Sequence, residues 1–199
     1  NQSGKTYQLT QNLNPLGTSC LNVSVGNVVI KGNNKKIKGN NAPFTFGLFS
    51  DLSLSNITIE NLSVSNFING FNFPVGVSQL VIRNVNISNN SLNGVYINTG
   101  VNVYIGKSTS SFNGQYGLFL RAVSNSLIQD SAVTSNTPRG IGLISSVNVT
   151  LNTNTMCYNP TSDVQCVGGG NHTGTGNIFN TNTSCSSGTN NIQKIGSCP

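Results

Sequence analysis

The sequence predicts an all-β fold, a parallel β-helix of about 23 residues per coil with three short strands in each coil, and three observations predict it. The first is a repeat. Ile59, Ile82, Ile105, Ile128 and Leu151 stand 23 residues apart, as do Val64, Ile87, Ser110, Val133 and Met156. Two more columns, Phe71, Val95, Leu118, Ile141, Val164 and Phe73, Ile97, Leu120, Leu143, Cys166, share that period after one 24-residue step. The second is alternation. Ile57 and Ile59, Leu62 and Val64, and Phe71 and Phe73 flank single outward positions, which is the period of a strand. The third is punctuation by Gly and Asn, with no helical stretch between strands. Hairpin pairing would break the columns, whereas stacking each repeat on the last keeps them and pairs every strand in parallel with its equivalent.

The elements follow in order. Residues 1–25 hold strand-like YQLT and LNVSV segments with little of the repeat, and are expected to cap the first coil. Residues 26–170 form the coils. Residues 171–199 are expected to form a last coil and a disulfide-rich cap, so that 1–199 is one domain. Gly47, Gly70, Gly94, Gly117 and Gly140 recur just before the third strand, where a corner is expected to need positive φ. Asp163 takes the next slot, as one of the few side chains that tolerates that conformation. Asn90, Asn113, Asn136 and Asn159 form a further column, with Asn66 as the equivalent in the shorter coil. Their amides are expected to hydrogen-bond from coil to coil.

The opening segment GNVVIKGNNKKIKG (26–39) and later coils such as VIRNVNISNNSLNGVYI (81–97) resemble right-handed parallel β-helix repeat proteins of the pectin-lyase-like superfamily, of secreted or archaeal surface type. The resemblance covers roughly residues 26–170 and implies a right-handed solenoid. It specifies function poorly, because that superfamily includes lyases, hydrolases, adhesins and tailspikes.

Charged residues make up only 7% of the chain and Asn about one residue in six, yet 36% hydrophobic content argues against disorder. No apolar run is long enough for a membrane-spanning helix, so no membrane insertion is expected. The chain opens on Asn1, which suggests a mature protein freed of a signal peptide. Asn1, Asn22, Asn56, Asn61, Asn86, Asn89, Asn148, Asn171 and Asn182 stand in glycosylation sequons, although a chain this rich in Asn, Ser and Thr also produces sequons by chance. Five cysteines, Cys20, Cys157, Cys166, Cys185 and Cys198, agree with an oxidising, extracellular or cell-surface location. One of them is left over from any two bridges, and the spacing does not say which.

The chain offers little chemistry on inspection. Its four acidic residues are Asp51, Glu60, Asp130 and Asp163. Glu60 and Arg83 are 23 apart, as are Lys107 and Asp130, so both pairs read as ion pairs between adjacent coils. Asp51 and Asp163 lie too far apart for a glycosidase dyad. His172 reads as a surface residue of the tail, without the spacing of a metal site. The expectation is therefore a chain with no catalytic residues, no metal site and no cofactor, and not an enzyme. Lys31, Lys35, Lys36 and Lys38 form a basic patch. It reads as a solvated, edge-protecting turn in preference to a contact for an anionic surface, and the missing aromatics argue against nucleic acid. The outward column Thr58, Val81, Tyr104, Leu127, Thr150 is a partly apolar strip.

These observations favour an extracellular structural or adhesive protein, glycosylated and self-assembling into a surface layer or filament, with copies of itself or cell-surface glycans as partners. The alternatives are a carbohydrate-binding or carbohydrate-processing β-helix, or a viral fibre or spike module. The discriminating feature would be a groove lined by acids and aromatics, and none is evident in the sequence.

Overall fold

A computed structural model describes residues 2–183, 185 and 190–199, with the backbone alone at 182 and 183. The chain winds about eight coils of roughly 23 residues, with no helix among the described residues. Val29 lies beside Thr58, Thr58 beside Val81, Val81 beside Tyr104, and Leu127 beside both Tyr104 and Thr150, all parallel. The first sheet carries the Ile59 column, the second the Val64 column and the third the Phe71 column. Long strands such as Val77–Ser88 and Leu54–Ser65 run through the first two sheets without a break. Thr6–Gln8 pairs with Val29–Lys31, and Leu21–Asn22 with Leu48–Phe49, so the N-terminal segment is already in parallel register.

The interior is the stack that the period demands. Ile59, Ile82, Ile105, Ile128 and Leu151 are all buried, each beside its equivalent one coil away. Spacing of about 4.8 Å lets β-branched side chains of one column touch their own kind, so one apolar rod forms along the axis.

Positive φ falls on different residues from those expected. One corner carries it at Asn27, Asn56, Gln79, Asn102, Asn125, Asn148 and Asn171, and another at Asn61, Asn84, Lys107, Asp130 and Thr153. Asn dominates because its short amide tolerates the left-handed region. The column from Gly47 to Gly140 has no positive φ. Its glycines are required by space: a Cβ on Gly117 would lie 2.4 Å from Val133 Cγ1 and 2.7 Å from Asn136 Nδ2.

The absent Cβ leaves room for the asparagine ladder. Asn113 Nδ2 donates to Asn136 Oδ1 at 2.9 Å, and Asn136 Nδ2 to Asn159 Oδ1 at 3.2 Å, while each backbone N–H donates to the same oxygen. Phe67, not Asn66, precedes Asn90 in this column: its N–H donates to Asn90 Oδ1 at 3.1 Å, and its ring is buried. The ordinary 23-residue period holds through Phe67, and the missing residue falls after it, before Gly70, so Asn66 is the equivalent of Asn89. Asp163 ends the ladder. Its Oδ1 accepts from Asn159 Nδ2 at 2.9 Å, and its Oδ2 from the N–H groups of Asn180 and Thr181 at 2.8 and 3.1 Å. Asp163 is thus a buried structural carboxylate without positive φ.

His172 is also an interior residue. It is fully buried, its Nδ1 accepts from the Val149 N–H at 3.3 Å, and burial lowers its pKa. The surface expectation fails because the repeat continues one coil further: Ser126, Val149 and His172 are successive members of one inward column. Disulfides Cys157–Cys198 and Cys166–Cys185 fasten the C-terminal strand and turn to the last coils, and Cys20 is free and half-buried.

Candidate functional site: an aromatic face on the third sheet

The third sheet bends at its Gly column, so that residues three apart face outward side by side. Tyr116 and Phe119 are such a pair, with ring centroids 4.7 Å apart. Tyr96, one coil earlier, stacks on Phe119 at 5.6 Å with rings 17° from parallel. Gly142 then leaves a gap: a Cβ there would lie 2.6 Å from Tyr116 Cε1. Tyr116 leans across that gap and its hydroxyl meets Gln165 Oε1 at 2.8 Å. Arg139 closes the cluster, its guanidinium 5.6 Å from the Tyr116 centroid. Arg121 is exposed on the strand of Phe119, Tyr116–Gln129.

Beside the rings lies a column with unmet hydrogen-bonding capacity. Asn93, Tyr116, Arg139 and Ser162 follow at 23-residue steps. Among the described residues, the buried polar side-chain atoms without a partner are Asn93 Oδ1, Arg139 Nε, Ser162 Oγ and His172 Nε2. Three of these four belong to this column. Such atoms are rare in folded proteins, and here they lie beneath the face, out of a ligand's direct reach. One coil before, Asn69 Nδ2 donates to Asn72 Oδ1 at 2.9 Å, and Asn93 Nδ2 donates to Asn69 Oδ1 at 3.0 Å. Stacked rings with guanidinium groups beside them form a surface for a ligand with flat apolar faces.

The residues singled out in the sequence lie elsewhere. Glu60 accepts from Arg83 Nε at 2.7 Å and meets Lys31 Nζ at 3.9 Å. The pair expected between Lys107 and Asp130 does not form. Asp130 reaches on to the next coil instead: its Oδ1 accepts from Thr153 Oγ1 at 2.5 Å and its Oδ2 from Gln129 Nε2 at 3.3 Å. Of the basic patch, Lys36 and Lys38 are exposed on the second sheet, Lys35 is half-buried, and Lys31 is drawn to Glu60. Asn22, Asn56, Asn86, Asn89, Asn148 and Asn171 are exposed and Asn61 is half-buried. Asn1 and the side chain of Asn182 lie outside the described residues.

The aromatic face was missed in the sequence because attention fell on the outward column of the first sheet. The column between Phe71 and Phe73, reading Asn72, Tyr96, Phe119, Gly142, Gln165, carried the signal. It supplies the aromatics that the sequence reading found lacking.

Comparison with known proteins fits this architecture. The structure matches pectate lyase Pel9A with a TM-score of 0.72 and 11% identity, over 94% of this chain and 57% of that one. It matches full-length tailspike protein 2 from an Escherichia coli O157:H7 bacteriophage with a TM-score of 0.50 and 11% identity, over 97% of this chain and 35% of that one. The chain thus spans little more than half the length of the lyase and about a third of the tailspike. No curated protein sequence matches. The expectation that the chain is not an enzyme is corrected by the first likeness: a pectate lyase is built on this fold, so scarce carboxylates do not exclude catalysis. A family model described as the right-handed beta helix region matches residues 47–196, three quarters of the sequence, and the chain belongs to that family.

Proposed function

We propose that the protein is an extracellular, carbohydrate-active β-helix that seats an acidic polysaccharide along the outer face of its third sheet. The stacked cluster Tyr96–Phe119–Tyr116, with Arg139 over it, carries this reading. Sugar rings present flat C–H faces that pack on aromatic rings, and a strip along the solenoid axis meets successive sugars of one chain. Arg121 and Arg139 supply positive charge, and the chain carries a net charge of +6. Two of the four acids do not oppose it: Asp163 is buried in the ladder and Glu60 is paired on another sheet. The likeness to a pectate lyase supports the same reading, and two disulfides support the extracellular setting.

Affinity electrophoresis through gels containing polygalacturonate, alginate or a neutral glucan tests it, with product length followed alongside. Retardation by an acidic polymer is expected, weakened roughly tenfold or more by Tyr96→Ala with Phe119→Ala, on the scale of two lost ring contacts. Equal mobility in every gel would rule the reading out.

A structural or adhesive role through self-association remains as a second reading, and one observation favours it. The N-terminal end of the rod opens into a cleft of about 310 Å³ lined by Tyr7, Leu9, Leu13, Leu21 and Ile30, next to the free Cys20. Sedimentation under oxidising conditions separates the two: discrete monomers at high concentration exclude assembly.

A further inference from the structure

The corner joining the second sheet to the third exposes aromatic side chains that the core does not enclose. Successive coils place Asn41, Asn66, Asn89, Phe112, Ser135 and Tyr158 there, each with positive φ between 55° and 63°. Asn and Ser suit that conformation, but a bulky aromatic side chain in it is an outlier. Burial would be the usual compensation, and it is absent: Phe112 is 64% exposed and Tyr158 57%. Phe44, on the same corner one loop after Asn41, has φ of 58° and is 88% exposed. Strained backbone carrying an exposed ring is retained where the ring has a task outside the fold.

The surroundings indicate the task. A hollow of about 390 Å³ opens beside Phe112, lined by Asn41, Asn89, Ser91, Ser135 and Thr137, with no charged side chain. Ser91 Oγ donates to Asn41 Oδ1 at 3.2 Å, fixing one wall. Tyr158 lies two coils beyond Phe112, about 10 Å along the axis, and its hydroxyl donates to the Pro199 carbonyl at 2.5 Å. Two exposed rings, two coils apart on a bed of amides and hydroxyls, match an extended chain of sugars. A bilayer would strip water from those amides and leave them unpaired.

We propose that this corner is a second glycan site, distinct from the third-sheet face, and that it takes a neutral polysaccharide lying along the solenoid axis. Pyranose faces stack on Phe112 and Tyr158. Asn41, Asn89, Ser135 and Thr137 exchange hydrogen bonds with the hydroxyl groups. The absence of charge in the lining sets this class apart from the ligand of the arginine-flanked face.

The test is calorimetric titration of the full chain, made in a bacterial periplasm so that Asn89 carries no glycan. The probes are neutral hexasaccharides of β-linked glucose, N-acetylglucosamine, mannose and xylose. At least one is expected to bind, with Phe112→Ala and Tyr158→Ala each weakening it roughly three- to tenfold, the scale of one ring contact. Phe112→Asn separates strain from folding: it is expected to raise the melting temperature, since Asn accepts this backbone, while weakening binding as much as Phe112→Ala does. Tyr96→Ala with Phe119→Ala is expected to leave binding unchanged. The proposal fails if no hexasaccharide binds, or if Phe112→Asn binds as tightly as the unaltered chain. It fails equally if binding is lost only in the Tyr96 and Phe119 variant, which would put the ligand on the third sheet. Flotation with phosphatidylcholine vesicles, or a dimer, abolished by Phe112→Asn would overturn it in favour of a membrane or a second copy.

Discussion

Ile105 sits in the middle of the apolar rod between Ile82 and Ile128, with no solvent on any side. Ile105→Asp places an unpaired carboxylate there, and a loss of more than about 4 kcal/mol is expected, read as failure to fold or as a collapse of the denaturation midpoint. Gly117 responds to size instead. Gly117→Ala forces a methyl onto Val133 and the Asn136 amide, and a loss of about 1–3 kcal/mol is expected by urea titration. His172 responds to pH. Burial holds its imidazole neutral in the folded chain, with the pKa below its ordinary value. The unfolded chain therefore takes up the proton first, so stability is full above about pH 6.5 and falls as pH drops below that value. Protection factors, which remove the base catalysis of exchange itself, should be lower at pH 5.5 than at 7.5 for amides in the coil containing Val149 and His172, and His172→Gln should remove most of the difference.

The asparagine ladder is an element in its own right, because each amide serves two coils. Asn136 receives the Asn113 amide and N–H, donates to Asn159, and also reaches the Ser110 carbonyl at 3.0 Å. Asn136→Ala orphans several buried groups at once, and a loss of about 2–4 kcal/mol is expected, above that of an average core truncation of its size. Much at this scale was readable in advance. The 23-residue columns give which residues point inward, because a closed coil allows no other placement for a strict period. The Glu60–Arg83 pair followed from the same register. What escaped was set by corner geometry. Period 2 puts Tyr116 and Phe119, three apart, on opposite faces, and only the bend at Gly117 and the gap at Gly142 bring their rings together. Asp130 likewise reaches on to Thr153 and not back to Lys107, and the missing residue falls after Phe67, which leaves Phe67 in an asparagine's place. His172 was misplaced because Gly-rich sequence around it hid a further coil.

For the whole molecule, the two disulfides divide a uniform solenoid into unequal parts. Cys157–Cys198 and Cys166–Cys185 bind the final coils covalently, whereas hydrogen bonds and apolar stacking alone hold the rest. Reduction should lower stability by about 2–5 kcal/mol and expose the C-terminal segment to protease, leaving the central coils resistant. The inter-coil hydrogen bonds have a further, mechanical consequence. They lie along the axis, so a pull on the two ends loads the bonds within each interface side by side and the interfaces one after another. Such a chain of links yields at its weakest member. The crosslinks remove the C-terminal links from that contest, and rupture begins at the opposite end. Each coil released should lengthen the tether by roughly 75 Å, the extended reach of its residues less the rise it occupied. Tension would then be relieved in equal steps, and the molecule would behave as a spool that pays out from its free end.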